Sequence, residues 1–174
     1  MKKKFAMMLA AAVLAVLVVL PATASASITL TAKEKRIVSV INQIRADAGL
    51  AKLSVKPSLV RAARNHSAEM GAKQYFGHDS FNGESFAKRL VRHGYVKEGY
   101  RIWKAGENVA WGSGMYSTPE IVVDNWMHSD AHRAVILTRS FRNIGIGVKK
   151  CADGFGSCND PVFFFTLDLG RRIR

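Results

Sequence analysis

Residues 5–20 carry no charge and no turn-former, and they decide how much of the chain is left to fold. Lys2, Lys3 and Lys4 precede them, Pro21 breaks them, and Ala24-Ser25-Ala26 places small residues at the −3 and −1 positions of a cleavage point. A basic start, an apolar middle and a small-residue exit form the layout of a secretory signal peptide. The rival reading is a membrane anchor. A spanning helix needs about 20 apolar residues, and this stretch supplies 16. The expectation is therefore a leader over residues 1–26, cleaved near Ala26, and one domain over residues 27–174, secreted to an extracellular or periplasmic space. No cysteine precedes Cys151, which excludes a lipid-modified cysteine just after the cleavage point. Processing leaves 148 residues, enough to bury a core without staples. It removes three lysines and no acid, so the formal charge falls from +13 to +10. No other stretch is apolar enough to span a bilayer, so no transmembrane segment is expected in the mature protein.

The remaining chain has helices first and clear strands last. Thr31-x-x-Glu34 is a capping box, and Ile37, Val40, Ile41 and Ile44 follow at helical spacing until Ala48-Gly49. Pro57 opens a second helix whose apolar face carries Leu59, Ala62, Ala63, His66 and Met70. Residues 71–114 read as loops around a short helix at 86–93, ended by Gly94. Thr118-Pro119-Glu120 starts a helix through Asn125 and Trp126. Ser129 or Asp130 then caps another over 131–137. Ile144, Ile146 and Val148 alternate with Gly145, Gly147 and Lys149, and residues 162–169 are β-branched and aromatic; both read as strands. That order predicts an α+β domain with a sheet covered by helices.

An exported chain can hold a disulfide. Cys151 and Cys158 flank Asp153-Gly154-Phe155-Gly156-Ser157, a turn-rich interval, so a bridge across a hairpin loop is expected. A metal pair is the alternative, weakened by the lack of a second cysteine pair or a nearby histidine.

Of five histidines, His66 reads as a core or boundary residue and His93 as a helix-end cation. His128 and His132 stand four apart, but Ser129-Asp130 breaks the helix between them, which counts against a helical metal clip. His78 and His132 lie at loop edges, and Glu107 lies between them in Gly106-Glu107-Asn108-Val109-Ala110, at a loop-to-element junction. Two imidazoles and a carboxylate brought together could hold zinc or move a proton.

These pieces in order resemble the CAP superfamily of cysteine-rich secretory proteins, antigen 5 and pathogenesis-related proteins, in its compact bacterial, SCP-like branch. The resemblance is carried by Ile41-Asn42-Gln43-Ile44-Arg45 with Gly49-Leu50, by Leu59-x-x-Ala62-Ala63-x-x-His66-Ser67-x-x-Met70, and by Phe76-Gly77-His78 with Arg89 and Gly94-Tyr95. It continues through Gly106-Glu107-Asn108-Val109-Ala110, Trp126-Met127-x-Ser129-x-x-His132-Arg133-x-x-Ile136-Leu137 and Phe141-x-x-Ile144-Gly145-Ile146-Gly147. It implies an α-β-α sandwich with a central antiparallel sheet between helical layers. It also implies a cleft lined by two His and two Glu, which map to His78, Glu107, His132 and, for the second acid, Ser129. That last position lacks its carboxylate, so any zinc would rest on His78 and His132 with Glu107.

The family supports binding roles more often than catalysis. The leading expectation is a non-enzymatic domain that holds a lipid, small ligand or cell-surface component in this cleft and needs no cofactor. One alternative is a metal-dependent, peptidase-like hydrolase in which His78 and His132 hold Zn²⁺ and Glu107 is ligand or general base. Another is basic adhesion to anionic surface polymers, helped by Arg171-Arg172-Ile173-Arg174. No nucleic-acid motif accompanies the charge, and nucleic acid is not an expected partner.

Overall fold

The structure is a computed structural model that describes residues 28–174; the expected leader lies outside the described residues. Helix α1, Ala32–Asp47, begins with the expected capping box: Thr31 Oγ1 accepts from Glu34 N and Thr31 N donates to Glu34 Oε2. A two-residue strand β1, Ser54–Val55, leads to α2, Pro57–Lys73, with Pro57 in its first turn. Helix α3, Phe86–Arg92, precedes a long strand β2, Ile102–Ser113. A 3-10 turn, Gly114–Ser117, leads into α4, Pro119–His128, and α5, Asp130–Ile136. Strands β3, Asn143–Cys151, and β4, Val162–Ile173, close the chain.

The sheet order is β1-β3-β4-β2. β4 pairs antiparallel with both β2 and β3, and β1 adds a two-residue parallel edge. Helices α1, α4 and α5 cover one face. There Ile37, Ile41, Val122, Trp126 and Ile136 meet Ile144, Ile146, Leu167 and Leu169. Helix α2 covers the other face along β3 and β4, with α3 beside it. This is the expected α-β-α sandwich.

Close approach of α2 explains the Gly-x-Gly pattern of β3. A Cβ at Gly145 would overlap the backbone of Leu59 and Val60, and one at Gly147 the backbone of Ala63 and Arg64. Asn42 and Arg45 also gain a physical reading. Asn42 exchanges two hydrogen bonds with the backbone of Leu53. Buried Arg45 donates to the carbonyls of Ala51, Ile136, Thr138 and Phe141, fastening α1 to the end of α5. A cation that finds four acceptors is tolerated inside.

Two expectations need correction. Glu107 lies in the middle of β2, not at a loop junction. Glycines and a buried acid interrupt the alternation that would have marked the strand. Cys151 and Cys158 are free, half-buried thiols rather than a bridge. The Cys151 thiol turns back to the Gly71 carbonyl under α2, whereas that of Cys158 faces the Asp160 carbonyl.

Candidate functional site

Three elements bring a polar cluster to the α2–α3 side of the sheet. β2 supplies Glu107, β4 supplies Asp168 directly opposite it in register, and α3 supplies Arg89. All three are buried. The loop after α2 adds His78, whose side chain is 51% exposed and therefore reachable from solvent.

Both carboxylate oxygens of Glu107 are engaged. Oε1 accepts from His78 Nδ1 at 2.9 Å, and Oε2 forms a tight ion pair with Arg89 Nη2. The same guanidinium donates to the His78 carbonyl at 3.1 Å and to Ser80 Oγ at 3.0 Å, so it also fixes the loop. A second brace comes from buried His66, whose Nε2 donates to the Gly77 carbonyl at 2.8 Å. That bond sets the tautomer, leaving Nδ1 to face Tyr75, whose hydroxyl donates to Glu69. Burial, and then the nearby Arg89 charge, push the His66 pKa down, so His66 is a neutral positioning residue. A polar cavity of about 220 Å³ lined by Asn65, His66, Glu69, Arg89 and Arg92 lies alongside.

Asp168 meets no hydrogen-bond donor among the described residues and lies directly opposite Glu107 across the strand pair. Burial raises the Asp168 pKa well above the usual carboxylate range, and the Glu107 charge raises it further. The raised pKa favours a protonated Asp168, and Arg89 pairs with Glu107 rather than with Asp168. At His78 the hydrogen bond to Glu107 raises the pKa, against partial desolvation.

The other expected residues are placed less directly. His132 is half-buried on α5, and its backbone carbonyl accepts from Asn108 Nδ2 at 3.0 Å, next to Glu107 in sequence. Burial lowers its pKa, and the His78 charge lowers it further, so the two imidazoles sense each other. Ser129 caps the start of α5 without a side-chain hydrogen bond to it. Among the described residues no hydrogen bond joins Ser129 or the His132 ring to the His78–Glu107 pair. His128 ends α4, exposed and turned back to Asp124, so the break at Ser129 does separate the two histidines.

Zinc does not fit this donor set. Both Glu107 oxygens are engaged, by His78 and by Arg89, which leaves His78 Nε2 as the open donor atom of the pair. Among the described residues no three His, Cys, Asp or Glu side chains surround a common point. Two imidazoles fall short of the three or four ligands that zinc takes. What the cluster offers is His78 Nε2, the outer nitrogen of an imidazole oriented by a buried carboxylate. Protonated, it is a fixed cationic donor; neutral, it is an acceptor.

Sequence reasoning did not assign Arg89, Ser80 or Asp168 to the site. The signal for Asp168 was present: it is an acid in an otherwise apolar run, at the same parity as Val162 and Phe164.

The comparisons with known proteins agree with this architecture. The model of the Cysteine-rich secretory protein family, CAP, matches residues 38–169. The Bacillus subtilis protein YkwD is 38% identical over 125 residues, which is 72% of this chain and 46% of that protein. The B. subtilis membrane protein YlbC is 33% identical over 120 residues, 69% of this chain and 32% of that protein. The chain thus spans less than half the length of either relative. Among solved structures, an extracellular protein containing a SCP domain from Bacillus anthracis superposes with a TM-score of 0.62 at 26% identity, over 83% of this chain and 45% of that one. An outer surface protein from Borrelia burgdorferi gives a TM-score of 0.66 at 21% identity, over 83% and 96% of the two chains, a likeness of fold.

Proposed function

The chain belongs to the CAP family of cysteine-rich secretory proteins, and from that premise we propose that it is an exported binding domain. It holds a lipid, small ligand or cell-surface component at the edge formed by His78, Glu107 and His132, without turning that ligand over. One observation carries the reading: both Glu107 oxygens are held, by His78 Nδ1 and by Arg89. A carboxylate so engaged serves as an anchor for an imidazole, not as a base or a metal ligand. His78 then presents one directed nitrogen to a ligand, with His132 at the neighbouring layer as the second contact. Export rests on the leader reading of residues 1–26, and the extracellular SCP relative supports it.

One observation favours a second reading. A carboxylate–imidazole dyad is also the orienting half of a hydrolytic site, and His78 Nε2 could activate water. The two readings separate in one experiment. Protein purified from the medium of expressing cells is extracted with chloroform–methanol, and the extract is analysed by mass spectrometry beside the His78→Ala and His132→Ala variants. A molecule present at about one per chain in the wild type and lost from both variants supports the binding reading. Turnover of a casein-derived peptide library that disappears in His78→Ala would replace it with the hydrolytic one.

A further inference from the structure

The end of the β2–β4 ribbon carries a charge arrangement that the His78 site does not use. Lys104 and Arg171 face each other directly in the antiparallel register. Like charges in that position cost stability. With Ile102 and Ile173 they line a depression of about 260 Å³, and Ser140 and Arg142, from the segment between α5 and β3, complete it. This is the sheet face that carries α5, where Val135 and Phe141 pack against Gly106, two residues along β2 from Lys104. Three cationic residues and a serine thus line it with no acid, and Arg142, whose Nη1 donates to the Arg139 and Phe141 carbonyls, keeps its remaining nitrogens for a ligand. Among the described residues none of the three forms an ion pair with Asp or Glu, although Arg36, Arg64, Arg89, Arg92 and Arg133 each do.

The terminal arginines are not an undirected basic tail. Arg172 leaves on the opposite face and stacks on Tyr95 and Tyr100, with centroid distances of 4.3 and 4.6 Å. That contact helps hold the last strand, so Arg171 is presented from an ordered position beside Lys104.

We propose that Lys104, Arg142 and Arg171 form a binding site for a phosphate group of a soluble or polymeric phosphodiester. Two guanidinium groups and an ammonium supply the planar and point-charge donors that phosphate oxygens accept. The Ser140 hydroxyl adds a neutral donor, and the two isoleucines fit the aliphatic carbons that flank a phosphodiester. A bound anion relieves the Lys104–Arg171 repulsion, so occupancy stabilises the fold. A bilayer surface is the poorer occupant. The large exposed apolar side chains that could enter one, Phe76, Phe81, Trp111, Met115 and Tyr116, line none of this depression.

The test uses linear polyphosphate as probe, followed by calorimetry, on wild-type protein, Lys104→Glu/Arg171→Glu, and Lys35→Glu/Lys52→Glu. The two double variants have the same net charge, and Lys35 and Lys52 are exposed residues away from the depression. Saturable binding to the wild type, weakened at least about tenfold by the first pair and under about threefold by the second, is expected. Polyphosphate should also raise the thermal midpoint of the wild type but not of Lys104→Glu/Arg171→Glu. Should that double variant fail to fold, Lys104→Gln/Arg142→Gln beside Lys35→Gln/Lys52→Gln provides a comparison that is again matched in charge. Equal loss in both pairs would show bulk charge attraction and overturn the proposal. So would binding only to phosphatidylglycerol vesicles, or no saturable binding at all.

Discussion

On one face of the sheet, Ile144, Ile146, Leu167 and Leu169 meet Ile37, Ile41, Trp126 and Ile136 through apolar contacts. On the other, at the same depth, Glu107 and Asp168 lie opposite each other with Arg89 beside them. The first face is held by area removed from water and tolerates similar volumes. The second is held by specific polar pairing: Glu107 is bound by one guanidinium and one imidazole, with Asp168 buried opposite it. Removing any member leaves the others uncompensated. One set of strands therefore carries a forgiving face and an exacting one, and the exacting face holds the candidate site.

Substitutions at matched depth test that contrast. Arg89→Met should give the largest effect on the polar face, about 3–5 kcal/mol in denaturant unfolding, because the Glu107 charge stays buried without its partner. Trp126→Ala should cost a comparable amount, about 3–5 kcal/mol, by opening a cavity. The difference lies in rescue. Adding Glu107→Gln to Arg89→Met should recover part of the loss, whereas on the other face Ile136→Val should act only through volume. A double variant as unstable as the sum of its single variants would break the comparison.

Gly145→Ala should come next, at about 1–3 kcal/mol, since the methyl group forces α2 off the sheet. It should also loosen the His78 loop, which α2 braces through His66, and so broaden the His78 resonances in NMR spectra.

Asp168→Asn should be the mildest of the buried changes, within about 1 kcal/mol at neutral pH, because an amide resembles the protonated acid. Its signature is in the pH dependence. The folded pKa of Asp168 is raised, so the stability it contributes is present at low pH. That stability is lost as pH rises from the unfolded value of about 3.9 towards the folded one. Asp168→Asn should flatten that slope in unfolding measured from about pH 4 upward. His78, also raised, contributes stability below about pH 6.5 that is lost as pH climbs through its folded value. His78→Asn should remove this component.

The same contrast explains what was legible in the sequence. The apolar face was readable because Ile37, Ile41, Ile144 and Ile146 follow plain helical and strand periods. The break at Ser129 and the cap at Thr31 were readable because turn and cap chemistry is local. β2 was not, because Glu107 occupies a position where the period asks for an apolar residue. Its justification, Arg89 and Asp168, lies 18 residues before and 61 after it, brought together only by the fold. The cysteines misled for a related reason. Their spacing suits a bridge, but both are free thiols, one against the Gly71 carbonyl and the other against that of Asp160.

The central claim is that Glu107 is an anchor held between Arg89 and His78. The most direct measurement is an NMR titration of the His78 imidazole in the wild type and in Glu107→Gln. The account predicts a wild-type pKa above the ordinary value of about 6.5, falling towards that value in the variant. A wild-type pKa at or below the ordinary value, unchanged by Glu107→Gln, would contradict it.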